Sequence, residues 1–507
     1  MSDWREVDRD QLEKHLDHEL KKRGMTRRDL VKGGMGLAAS VGLASLFAAC
    51  GGGDEEAAAP APAGPAPAPA PAEVPKFTGT LRVLGLGVDL QAADGRAGAQ
   101  PGPPIAEEGE KALGFKLEFT VKTTTEMEQL ALTQPESFDV FSGYHYMYDR
   151  LWSSGNFQPV EVAKITDWSQ ITTLHKLGKV DPASSTCTVG QGDAPFRTMY
   201  VDPDQTGTWK SSAETRSENQ GVIVQWADGD TAQAAGEEPK FVNGVPQNFN
   251  MDSMGYNADI IQKEPNEVSW AELFNPKWKG RVVLLADPAI ALQDAGAAAL
   301  ATGLVDSFSS LGNMTKEEMD AMFKILLDLK KQGHFRAFWS DFNDSVNLMA
   351  SGEAVIESMW SPAVAILVAQ GLNVKYAAPI EGFRGWSDGQ AIAAHVTDPS
   401  LLQASYDYIN WWLSGVPGAL TMRQGYYLAA QEATRQFVEP EEWDFWIDGK
   451  PAAKDLPGVL GKVGDIKQGT VRDGGSFVDR ACNYLTWNSH PQEEEYMVSR
   501  WNEFQAA

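Results

Sequence analysis

The chain has 507 residues and a formal net charge of −26, so it carries no basic balance that would suit nucleic acid. Its seven histidines are scattered, with no HExxH and no Cys/His set at ligand spacing, and GxxxxGK[ST] does not occur. Composition and motifs therefore point to no metal and no cofactor, and no Ser/His/Asp order stands out.

The first 75 residues do not read as part of a fold. Thr26–Lys32 is TRRDLVK, with Arg27 and Arg28 paired, and an apolar Gly/Ala-rich run follows to Cys50. This predicts a twin-arginine export signal over 1–49. The run is too short and glycine-rich for a permanent membrane span. Its exit, LFAAC, predicts lipid attachment at Cys50, with Phe47 where a leucine is usual. Ahead of it, Trp4, Val7, Leu12, Leu16 and Leu20 fall near helical spacing, an amphipathic helix lost on maturation. Residues 50–75 alternate Ala and Pro, which cannot build a packed core and favour extended polyproline II at roughly 3 Å per residue. A lipid, a spacer and a globular body describe a surface-held, extracytoplasmic receptor.

The remaining body of about 430 residues exceeds one compact core and predicts two lobes. Thr80–Val88 reads as a buried strand, Pro104–Gly114 as a helix, Phe115–Val121 as an alternating strand and Phe138–Gly143 as a third strand. An aromatic loop, YHYMYDRL, follows and holds Tyr144 and Tyr146. The stretch 183–238 is polar and turn-rich and reads as an insertion. Cys187 and Cys482 are the cysteines of the mature body, and either a bridge or two buried thiols suits them.

Strand Val282–Leu285 leads into Asp287-Pro288, an N-cap followed by a first-turn proline, and then an Ala-rich helix. Thr315 and Glu318 form a capping box for a helix whose apolar face is Met319, Met322, Phe323, Leu326 and Leu329, ended by Gly333. Glu353–Trp360 is a strand, with Ser361-Pro362 expected to open the next helix in the same cap-plus-proline way. Asn373–Ile380 is another strand, and Glu381–Gln390, EGFRGWSDGQ, reads as a glycine-rich loop after it. Asp287, Trp360, Trp386 and Asp388 thus all follow strands, at the rim where open α/β sheets place ligands. Each also has a plain reading: a cap, a packing aromatic, a turn residue.

In order and spacing, SWAELFNPKWKG, LLADP, MASGEAVIESMW, APIEGFRGWSDG and RQGYYLAA resemble the solute-binding proteins of ABC transporters, specifically the spermidine/putrescine-binding branch, over about 77–180 and 240–507. The resemblance implies an α/β, two-lobed periplasmic-binding-protein fold of type II, with the ligand between the lobes. It places lobe 1 at about 77–255 and 387–434, and lobe 2 at about 256–386 and 435–507. It implies a monomer that hands a polyamine-like cation to a membrane permease with its ATPase, and no catalysis.

A polyamine needs carboxylates for its ammonium groups and aromatic faces along its chain. By resemblance Trp360 and Trp386 are the aromatic walls, Asp388 the ammonium partner and Asp287 an acid at the far end. Tyr426, Tyr146 and Asn488 fall on binding positions, Tyr144 on a serine of the family, and Asp252 is a substitute carboxylate on a crossing strand. The chain departs from the pattern in three places: Gly87–Gly95 lacks the aromatic pair, Ile290 replaces a second acid, and Arg384 stands two residues from Trp386. A shorter diamine or a zwitterionic amine therefore stays open. Ferric ion on the pair Tyr426–Tyr427 is a further alternative, and an exported enzyme is the alternative of another class.

Overall fold

The computed structural model describes residues 75–86, 105–204, 221–229, 231–459 and 462–507. The export signal, Cys50, the Ala/Pro segment and Gly87–Gly95 lie outside the described residues.

Eight strands make the spine: β1 (Thr80–Gly85), β2 (Lys116–Val121), β3 (Val140–Tyr144), β4 (Val245–Asn257), β5 (Val282–Leu285), β6 (Phe335–Trp339), β7 (Ile356–Met359) and β8 (Phe383–Ala393). They lie in the order β6-β5-β7-β4-β8-β3-β1-β2, and four short strands at their sides bring the sheet to twelve among the described residues. Pairing is parallel within β2-β1-β3 and within β6-β5-β7. It is antiparallel where β3 meets β8, β8 meets β4 and β4 meets β7. Two parallel units are therefore joined by a crossing pair, β4 and β8.

Parallel neighbours need crossover connections, which helices supply. α1 (Ile105–Leu113) links β1 to β2, α2 (Thr124–Thr133) links β2 to β3, and α3 (His145–Trp152) leaves β3. α4 (Pro288–Thr302) and α5 (Lys316–Lys331) link β5 to β6, and α6 (Ser361–Ala369) leaves β7. The caps follow the local sequence: Asp287 accepts from Ala289 and Ile290, and Thr315 and Glu318 close a reciprocal capping box. α5 buries Met319, Met322, Phe323 and Leu326, as its periodicity predicts. At α6 the cap position belongs to Trp360, without a side-chain bond, so Ser361 is the first helical residue rather than the cap.

The stretch read as a glycine-rich loop is instead the middle of the sheet. Phe383–Ala393 is a fully buried strand, and Trp386 and Asp388 sit inside it. Glycine is a poor strand former on its own, yet here it makes room. A Cβ on Gly385 would strike the Tyr484 ring and lie 3.0 Å from Trp487, and one on Gly389 would lie 2.9 Å from His145. Aromatic rings from neighbouring elements lie against the bare backbone and replace the missing side chains.

The 183–238 stretch is also more deeply built in than its polarity predicts. It supplies Tyr200–Asp202 and Val222–Ile223 to a four-stranded sheet with Val160–Glu161 and Phe241–Val242, and Phe196, Met199 and Tyr200 are fully buried. Cys187 and Cys482 are joined in a disulfide, which settles the question left open by the spacing.

Candidate functional site

Side chains two apart on a strand share a face. Arg384, Trp386 and Asp388 therefore line one face of β8, and Gly385, Ser387 and Gly389 the other. Register sets what stands opposite: Asp252 against Arg384, Asn250 against Trp386, and Tyr144 of β3 against Asp388. Trp386 is packed edge-on by Tyr144 at 5.6 Å and by Tyr426 at 5.2 Å between ring centroids. Tyr144 stacks on Tyr146 at 5.4 Å. The structure thus brings Tyr144, Tyr146, Trp386, Asp388 and Tyr426 into one aromatic-walled, carboxylate-bearing cluster. All five are at most 6 % exposed, and Asp388 is completely buried.

Asp388 acts on its surroundings through its charge. Burial pushes the Tyr146 and Tyr148 hydroxyls well above the usual phenol range, and the Asp388 carboxylate adds to both shifts.

Arg384 does not stand as a bare repulsive charge. Its Nε donates to Asp294 at 2.7 Å and its Nη1 to the Asn488 side-chain oxygen at 2.7 Å, with Asp252 3.9 Å away. Burial opposes the guanidinium charge, but Asp294 and Asp252 outweigh it and hold its pKa above the ordinary arginine value. Burial pushes the Asp252 carboxyl up to about 6, against the pull of Arg384 and a hydrogen bond from Trp386. Asn488 and Asp252 hence serve Arg384 and the indole directly.

Asp294 is the residue of this site that the sequence reading passed over. It sits in α4, where every residue from Ala289 to Ala299 is buried. An acid inside an Ala-rich buried helix demands a buried partner, and that was the available signal. Ser358 of β7 donates to its second oxygen.

Two expected members stand at the margin. Asp287 is the N-cap of α4 and also accepts from Thr124 of α2 at 3.0 Å, so it ties the two parallel units together. Trp360 is half-buried, edge-on to Trp339 at 5.0 Å and parallel to Phe342 at 6.2 Å, while the next residue, Ser361, accepts from Asn250. Ile290 is buried among Leu285, Trp339 and Phe342. The pair Tyr426–Tyr427 does not converge as an iron site requires. Tyr427, in the short strand Tyr427–Leu428, packs on Phe249 and Phe477 beneath Arg472, whereas Tyr426, just ahead of that strand, packs on Trp386.

A charged network borders the cluster at Tyr146, whose ring lies 4.7 Å from His490. His490 binds Glu128 of α2 at 2.9 Å and approaches Glu494 at 3.7 Å, and Arg150 of α3 reaches Glu494 at 2.7 Å. Burial works against the imidazolium, but Glu128, Glu494 and Asp287 raise it to about 9. A raised folded-state pKa contributes stability that is complete below the unfolded value near 6.5 and is lost as pH rises through about 9. Urea unfolding at pH 6, 7.5 and 9 should show this loss, of order 2 kcal/mol. His490→Gln should flatten that part of the profile, and an unchanged slope would remove His490 as its source.

The family model for the bacterial extracellular solute-binding proteins matches residues 105–443. Among solved structures, an ABC transporter substrate-binding protein of Bradyrhizobium japonicum aligns at 16 % identity over 84 % of this chain and 99 % of its own, with a TM-score of 0.50. A spermidine/putrescine ABC transporter substrate-binding protein of Streptococcus pneumoniae aligns at 11 % identity over 85 % and 99 %, with a TM-score of 0.49. An A. tumefaciens periplasmic binding protein in complex with agropinic acid aligns at 16 % identity over 85 % and 97 %, with a TM-score of 0.45. No curated protein matches the chain. At these identities the likeness is one of fold, and the fold is the mixed α/β, type II solute-binding-protein fold expected from the motifs.

Proposed function

This chain belongs to the bacterial extracellular solute-binding proteins, and we propose that the solute it captures is an organic cation of the polyamine type. The broader role follows from the family: it is the substrate-binding component of an ABC transporter, a receptor rather than an enzyme, working outside the cytoplasm with a permease as partner.

The observation that carries the cation reading is the make-up of the cluster. The Asp388 carboxyl stands opposite Tyr144, among the rings of Tyr144, Trp386 and Tyr426, with Asp252 and Asp294 further along around Arg384. Buried charges require partners, and aromatic faces attract cations by about 0.5–2 kcal/mol each. Acidic side chains beside aromatic faces suit a cationic solute better than an anionic one.

The lobe division at about 77–255 with 387–434, and 256–386 with 435–507, belongs to the same proposal. One core cluster in its support draws on Leu81–Val245 and Trp386–Ala433, and another on Tyr256–Ala377 and Met497–Phe504, with Met254 at the end of the crossing strand added to the second. Export by the twin-arginine route, lipid attachment at Cys50 and an Ala/Pro tether complete it. The test is titration calorimetry and a melting shift on the purified chain with monoamines, putrescine and spermidine. Saturable binding of an amine is expected, and a flat response to every amine removes the organic cation from the proposal.

A further inference from the structure

Tyr426, whose ring meets Trp386, also lines a small cavity with Tyr427, Leu428, Gln431, Thr434 and Trp443. Its volume of about 10 Å³ suits one particle of roughly water size. Gln431, Thr434 and Trp443 are 7, 3 and 3 % exposed. Each carries a polar atom cut off from solvent and without a hydrogen-bond partner: the Gln431 amide nitrogen, the Thr434 hydroxyl and the Trp443 indole nitrogen. Buried polar groups are nearly always paired, so three such atoms on the side chains around one cavity call for a guest there. The indole and amide nitrogens can only donate, and the hydroxyl is able to, so the guest must be an acceptor.

The charge around the cavity has the matching sign. Arg472 is buried over the Tyr427 ring at 4.7 Å and donates to the carbonyls of Trp446 and Gly425. Asp473, the acid that supports its charge, is bonded to Arg480 instead. Burial and Arg480 accordingly draw the Arg472 pKa down to about 10, against Tyr427 and Asp473. Arg435 lies over the Trp443 ring at 4.4 Å, with Glu432 at a loose 3.9 Å. A buried charge without a close partner is costly, and an anion nearby offsets that cost.

We propose that this cavity is a site for one small monatomic anion, chloride above all, held by Gln431, Thr434 and Trp443 beside the Arg472 and Arg435 guanidiniums. Hydrogen bonds to an ion are stronger than those to a neutral guest, and the volume shuts out polyatomic oxyanions. Gln431 and Thr434 precede the proposed lobe boundary at 434 and Trp443 follows it. The bound anion thus ties the two segments together next to Tyr426. This goes beyond the solute reading and does not depend on which solute is captured.

The test is thermal unfolding of the purified chain without solute, at one ionic strength, in chloride, bromide or gluconate. It is paired with anomalous scattering from crystals grown in bromide. Chloride and bromide should raise the midpoint saturably, as a ligand of the folded state does, and gluconate should not. A bromide peak should stand in the cavity within reach of Gln431 and Trp443. Gln431→Leu with Thr434→Val should weaken the chloride dependence at least roughly tenfold. Were no ion bound, removing orphaned donors would instead stabilise the chain in every salt, and that result overturns the site. So does an ordered water where the bromide peak is expected. The peak decides wherever melting and scattering disagree, and it decides alone if the double variant does not fold.

Discussion

Asp388→Asn weakens capture of a cationic solute by about 30- to 3,000-fold, a larger effect than the one it has on the stability of the ligand-free protein. The substitution is isosteric and removes only charge. Truncating one partner of a buried charge pair costs about 2–5 kcal/mol, at 1.4 kcal/mol per tenfold. Asp388 is completely buried, and its field helps keep the Tyr146 and Tyr148 phenols protonated. Calorimetry on variant and wild type, paired with urea unfolding of each without ligand, separates the two effects. Unchanged affinity would mean that the solute's charge is met elsewhere. A large loss of ligand-free stability would make Asp388 a structural anchor instead.

Replacing both Cys187 and Cys482 by serine lowers unfolding stability by about 2–5 kcal/mol and raises the denaturant m-value. The bridge closes a separation of 295 residues. In the chain-entropy account a loop of that size lies near the top of the range, and native-state effects usually reduce the realised gain. The bridge also pins a strap along the edge of strand Tyr484–Trp487. Thr188 donates to the Cys482 carbonyl, Gln191 to that of Leu485 and Trp487 to that of Gln191. The Gln191 side chain accepts from the Leu311 backbone as well. An uncrosslinked unfolded chain exposes more surface, hence the larger m. Equal midpoints and slopes with and without the bridge would show that this strap holds on hydrogen bonds alone. An exported protein meets the oxidising conditions such a bridge needs.

The candidate site was unevenly legible. Trp386, Asp388, Tyr426, Tyr144 and Tyr146 were reached through motif resemblance, and the fold brings those five together. Asn488 and Asp252 were reached too, but as partners of Arg384 and the indole. Asp287 and Trp360 kept much of their plain readings, as a cap and as a packed aromatic. Asp294 went unnoticed, although a lone acid in a buried alanine helix was itself a cue.

Features that depend on a few neighbouring residues could be read from the chain directly. The Thr315–Glu318 box, the Asp287-Pro288 start and the apolar face of α5 satisfy their own backbone groups within one or two turns. The same holds for the alternating β2, whose burial follows its own period. Features that depend on distant atoms could not. Phe383–Ala393 carries glycines that locally disfavour a strand, and it is a strand because rings nearly 100 to 250 residues away in sequence lie on its bare positions. Arg384 looked like a repulsive charge until Asp294 and Asn488, 90 and 104 residues away, were seen to hold it. Local stereochemistry acts over one turn or one pleat, whereas the worth of a buried charge or a bare backbone is set by whatever the fold packs against it.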